Sequence, residues 1–177
     1  MTTTRRSPAR QREAALMVIG TSLATLERGY RAAANQAVAH VGMSQALAWP
    51  LLTVGRHGDG LRQGVLADIL HIEGPSLARS VEQLAHAGFI ERREDPADRR
   101  AKTLHLTDAG AQACAHIEAA LLDLRTQLYA GIPDEDIAAT LRVFATLRER
   151  LGLSPADLPP PLRPAAARPA TKQIRTE

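Results

Sequence analysis

Between Gly74 and Gly88 the chain places Ser76, Arg79, Ser80 and Gln83 at steps of three, four and seven. They form one side of a helical pattern whose other side is Leu77, Val81, Leu84 and Ala85. Short hydroxyl side chains around one arginine let a helix come close to a surface, while arginine and glutamine reach its hydrogen-bonding edges. The base edges in the major groove of duplex DNA are such a surface. Gly74-Pro75 opens this helix, since Pro75 suits a first helical position. Further on, Asp98, Arg99, Arg100 and Lys102 fall in or beside a charged turn, where long cations could enter a narrow, electronegative minor groove. Gln63, at the start of the preceding helical pattern, is placed for a phosphate. Glu94, Asp95 and Asp98 oppose this chemistry by charge, and at least one is expected to be an internal partner that orients an arginine of the turn.

Other residue types invite other chemistry. Cys114 could sense oxidants, but a reactive thiol needs access and a lowered pKa. Here it lies among Ala and Ile at core spacing, which favours a structural role. His40, His57, His71, His86, His105 and His116 do not pair at helical ligand spacing, and no carboxylate or cysteine cluster completes a metal site. Tyr30, His40, Trp49 and Arg56 could line a pocket for an aromatic acid with Arg56 as counter-charge, or Tyr30 and Trp49 could be ordinary core. There is no glycine-rich phosphate loop and no nucleophile elbow, and the glycines from Gly58 to Gly64 do not follow a strand. Neither an enzyme nor a cofactor is expected.

The elements that must hold these groups can be read along the 177 residues. Hydrophobic residues are 45% of the chain and aromatics 3%, so the core is aliphatic and the composition favours helices. The net charge is +3 and Lys102 and Lys172 are the only lysines, which leans weakly toward an anionic partner. One cysteine excludes an internal disulfide framework. No apolar run approaches the roughly 18 residues of a membrane span, and the N-terminus lacks the apolar segment of a signal peptide. The expectation is a cytoplasmic protein with no membrane partner.

Residues 1–12 read as a flexible basic arm. A helix is expected from Glu13 to about His40, ended by Gly42, with Leu16, Ile19, Leu23, Leu26 and Tyr30 on one stripe. Ser44 is expected to cap a second helix, kinked or delayed by Pro50. Gly55 to Gly60 reads as a loop. Short helices follow over Leu61–Leu70 and from Gly74-Pro75 to Gly88. Phe89–Arg93 and Lys102–Leu106 are strand candidates around the turn at Pro96. Thr107-Asp108 caps a long helix, and a last helix follows Pro133-Asp134. From Ser154 the chain reads as a disordered Pro/Ala/Arg-rich tail. Two short helices followed by a hairpin with a charged tip is the order of a winged helix-turn-helix. The fold class is therefore mostly α with a small β-hairpin wing.

Leu61 to Gly110 resembles the MarR family of bacterial regulators. The family's wing signature is matched by Asp98, Arg100, Leu106 and Thr107, within Ala-Gly-Phe-Ile-Glu-Arg-Arg-Glu-Asp-Pro-Ala-Asp-Arg-Arg-Ala-Lys. The sequence departs from the family where Leu61-Arg62 stands in place of a Ser or Thr cap, and where Pro50 interrupts the second helix. The resemblance implies a MarR-type domain over 13–153, with the winged helix-turn-helix at about 44–110 and dimerisation helices at 13–42 and 107–153. It implies a homodimer on a near-palindromic operator in double-stranded DNA. It also implies a ligand pocket between the two parts for a small aromatic or phenolic compound, whose binding releases a repressor. Two alternatives stay open: an oxidant sensor switched through Cys114, and a protein-interaction module with a wing that does not bind DNA.

Overall fold

The computed structural model describes residues 7–58, 60–98 and 101–153. Arg99, Arg100, the first six residues and the tail from 154 lie outside them. The order is α1 (Pro8–His40), α2 (Gln45–His57), β1 (Leu61–Arg62), α3 (Gln63–Leu70), α4 (Gly74–His86), β2 (Ile90–Glu94), β3 (Lys102–Leu106), α5 (Asp108–Leu128) and α6 (Asp134–Arg150). The fold is mostly helical with a small antiparallel sheet.

Several boundaries differ from the expected ones. The first helix starts at Pro8, not Glu13, so part of the expected arm is helical, and Pro8 takes the position where its missing N–H costs nothing. Ser44 is the N-cap residue of α2 but makes no side-chain cap bond. Pro50 lies inside α2 without delaying its start, and it is buried. The expected loop at Gly55 is the last part of α2. There a Cβ would sit 3.1 Å from Cys114 Sγ and 3.3 Å from Leu106 Cδ1, so the glycine permits α2 to approach α5 and β3.

A third strand was not anticipated. β1 supplies only Leu61 and Arg62, pairing with Leu104 and Thr103 of β3. Two residues are too few for a period-2 pattern. β2 and β3 form the hairpin in the register Ile90↔Leu106 to Glu94↔Lys102, and the sheet order is β1-β3-β2.

One aliphatic core joins these pieces. Leu51, Leu52 and Val54 of α2 meet Leu66 of α3, Leu77, Val81 and Leu84 of α4, and Leu104 of β3. Ala34 and Val38 at the end of α1, with Ile117 and Leu121 of α5, close it from the other side. From Pro8 to Ala32, α1 behaves differently: only Ser22 is even partly covered. Among the described residues no single helix is long and apolar enough to cross a membrane.

The start of α5 is locked to the foot of the hairpin. Thr107 Oγ1 accepts from the Gly110 N–H at 3.0 Å, capping α5, and donates to the Gly88 carbonyl at 2.6 Å. The Thr107 N–H donates to Phe89 O at 3.1 Å. A Cβ on Gly110 would collide with that same carbonyl oxygen.

Candidate nucleic-acid interface

α4 folds as its two-sided sequence dictates. Leu77, Val81 and Leu84 are buried, which anchors the helix on α2 and turns the polar stripe outward. Pro75, Ser76, Arg79 and Gln83 are exposed, and Ser80 is partly so, its Oγ donating to Ser76 O at 3.4 Å. A helix face of small hydroxyls with one arginine is thus left exposed among the described residues.

Beside it lies a groove of about 600 Å³. The starts of α3 and α4 and the two hairpin strands bound it, with Arg62, Gln63, Gly74, Leu77, Arg92 and Lys102 among its lining. Three of those side chains are cations and Asp68 is an anion of the same lining; Arg62 and Lys102 are ion-paired with Asp95 and Glu94. Gln63 and Lys102 were expected in such a surface; Arg62 and Arg92 were not singled out. Lys102 Nζ is 3.2 Å from Glu94 Oε1 across the hairpin. Asp98 is exposed in the turn. Arg99 and Arg100 fall outside the described residues.

The expected pairing of an acid with an arginine of the turn falls on Arg99 and Arg100, outside the described residues. The buried acid is Asp95, 6% exposed, and its Oδ2 accepts from Arg62 Nε of β1 at 2.5 Å. Its Oδ1 accepts from the Ala97 N–H at 2.8 Å. These bonds, the Arg62 side chain foremost, hold the Asp95 carboxyl below its ordinary range and raise the Arg62 guanidinium.

The four residues considered for a small-molecule pocket have separate roles. Trp49 Nε1 donates to Asn35 Oδ1 at 3.1 Å, and Tyr30 and His40 are exposed on α1. Arg56 Nε donates to Glu118 Oε1 at 2.9 Å, so its charge already has a carboxylate. None of these hydrogen bonds joins two of the four. Cys114 is half-buried with Sγ 3.5 Å from Leu51 O. Burial first, then the negative charge of Glu118, pushes its thiol up to about 11. Among the described residues no group of three His, Cys, Asp or Glu side chains could hold a metal ion.

Residues 41–101 match the model of the MarR family. A solved transcriptional regulator, PA3341, is 34% identical over 76% of this chain and 98% of its own, with a TM-score of 0.65. The chain belongs to the MarR family. The MarR family transcription regulator SP03579 has the same fold at 19% identity, covering 82% of this chain and 96% of its own, with a TM-score of 0.73. CouR from Rhodococcus jostii RHA1, solved bound to p-coumaroyl-CoA, shares it at 20% identity over 75% and 90%, with a TM-score of 0.61. PA3341 and SP03579 are transcriptional regulators, and this MarR-family chain shares their winged-helix fold.

Proposed function

We propose that this MarR-family regulator is a cytoplasmic homodimeric repressor that grips a near-palindromic operator and lets go when a small aromatic or phenolic compound binds. The observation that carries the DNA reading is the exposed stripe Ser76–Arg79–Gln83 on α4, standing beside a groove that Arg62, Arg92 and Lys102 help to line. Major-groove reading needs a helix that is free along one face and rigidly backed along the other. Ser76, Arg79, Ser80 and Gln83 are assigned to the groove edges, with Pro75 at the approach. Gln63 and Lys102 are assigned to phosphates, and Asp98, Arg99 and Arg100 to the wing.

The dimer is supported by what the monomer leaves uncovered. No residue of α6 is buried, and Leu141 and Phe144 are 62% and 43% exposed. Leu16, Ile19, Leu23 and Leu26 of α1 are also exposed, as are Leu122 and Leu128 of α5. Apolar surface on this scale marks an interface. A two-fold pair of α4 helices would then read half-sites about 10 base pairs apart.

The ligand class is supported by the p-coumaroyl-CoA bound to CouR, a fold neighbour. In this reading Arg56 is the ligand's counter-charge, with Tyr30, His40 and Trp49 as the other candidate contacts, and Arg56 would have to exchange Glu118 for the ligand's carboxylate. A switch through Cys114 is disfavoured by its raised pKa, and the exposed Arg79 and Arg92 favour DNA over a purely protein-binding wing. The test is selection from random duplexes by the purified protein. An enriched two-fold motif, lost in Arg79→Ala, is the expected result. Failure to enrich any motif with an intact dimer would refute the reading.

A further inference from the structure

The residue at the N-cap of α3 is Arg62, and no side chain caps this helix. An arginine is a poor choice there, because it offers no acceptor to the free N–H groups and adds positive charge to the positive end of the helix dipole. Its side chain does something else. It crosses from β1 to the start of the hairpin turn, 33 positions along the chain, and bonds the almost fully buried Asp95. A buried carboxylate without a partner is costly. Asp95 in turn organises the turn it opens: its Oδ1 takes the Ala97 N–H, its own N–H donates to Ala101 O at 3.2 Å, and its carbonyl accepts from the Asp98 N–H at 3.2 Å. The loop so closed contains positions 99 and 100, the two arginines assigned to the wing.

We propose that Arg62 and Asp95 form a latch that fixes the wing turn against the start of α3, making both of them positioning residues for DNA binding. The inference rests on the DNA-binding reading above and adds a pair of residues that this reading does not require. β1 contributes only two residues to the sheet, so the strand pairing alone holds the wing to α3 through a short ladder. The latch supplies the side-chain tie at the same place, and the spacing between wing and α4 depends on it.

The test uses the full chain with Asp95→Asn, Arg62→Gln and the double variant. Asn keeps an oxygen for the Ala97 N–H while losing the ion pair. Two readouts are taken: amide hydrogen exchange of residues 95–101 without DNA, and affinity for a selected duplex across a salt series. Each single change is expected to speed exchange in the turn and to weaken duplex binding about tenfold. The double variant should be no worse than the weaker single, as coupled residues are. The salt slope of Asp95→Asn should equal that of the unmodified protein, because no phosphate contact has been removed. Losses that add, or exchange in the turn that does not change, would overturn the latch. So would a salt slope about one unit shallower for Arg62→Gln, which would make Arg62 a phosphate contact. If the unmodified protein bound no duplex, the DNA reading would fail, and the exchange measurement would still decide the latch.

Discussion

Arg56, next to last in α2, donates from Nε to Glu118 Oε1 of α5 at 2.9 Å, tying α2 to α5. Arg125, further along α5, stands 3.8 Å from the other oxygen of the same carboxylate. Glu118 Oε2 and Arg125 Nε are both buried without a hydrogen-bond partner. Two half-buried guanidinium groups therefore share one carboxylate. Glu118→Gln should leave both without a counter-charge and destabilise the fold by about 1–3 kcal/mol. Urea denaturation would measure it, and a shift in midpoint under a few tenths of a molar would count against the tie.

The foot of the hairpin gives a second expectation. Gly110→Ala drives a methyl group into the Phe89 carbonyl, and overpacking of that kind costs about 1–3 kcal/mol. Thr107→Val keeps the shape but removes both the cap on Gly110 and the bond to Gly88, for about 1–2 kcal/mol. Thermal unfolding should show both losses, and an unchanged midpoint for either would contradict the packing described.

Much of this arrangement was legible in the residues themselves. The opposed stripes of α4, its Gly74-Pro75 start and the Thr107 cap are local signals, and the structure repeats them. What the sequence hid is long-range. Arg62 and Asp95 are 33 positions apart, and nothing in a one-dimensional pattern pairs them. Gly55 looked like a loop residue because glycine usually marks one. It stands inside α2, where Cys114 and Leu106 crowd the space a side chain would take, and that crowding is what calls for a glycine. Of the expected ligand-binding set, Arg56 was visible as a cation, but its commitment to Glu118, 62 positions away, was not.

Cys114 allows a test by pH. Its thiol is pushed up to about 11, so the folded protein should react with a maleimide at pH 8 at least about tenfold more slowly than the urea-unfolded chain. The sign for stability follows. The unfolded thiol ionises near pH 9, before the folded one, so this group's contribution is complete below pH 9 and is lost as pH rises toward 11. Labelling of the folded protein as fast as the unfolded would contradict the burial.

The uncovered faces of α1 and α6 lead to a prediction about assembly. Phe144→Asp places a charge on an exposed apolar stripe of a helix with no buried residue, so the monomer's own fold should be little affected. If that stripe is the dimer seam, the dimer of the variant should dissociate about 100-fold more readily, near 3 kcal/mol. Sedimentation velocity of the two proteins at matched concentrations would show it. A dimer of unchanged strength would move the interface elsewhere.

The central claim is that the outward stripe of α4 reads duplex DNA, and an anisotropy titration of the unmodified protein and Arg79→Ala on the selected duplex, at two salt concentrations, tests it most directly. The account predicts selective binding that weakens as salt rises, and a loss of about tenfold or more in the variant with its fold and dimer intact. Binding that ignores sequence, or a variant indistinguishable from the unmodified protein, would contradict it.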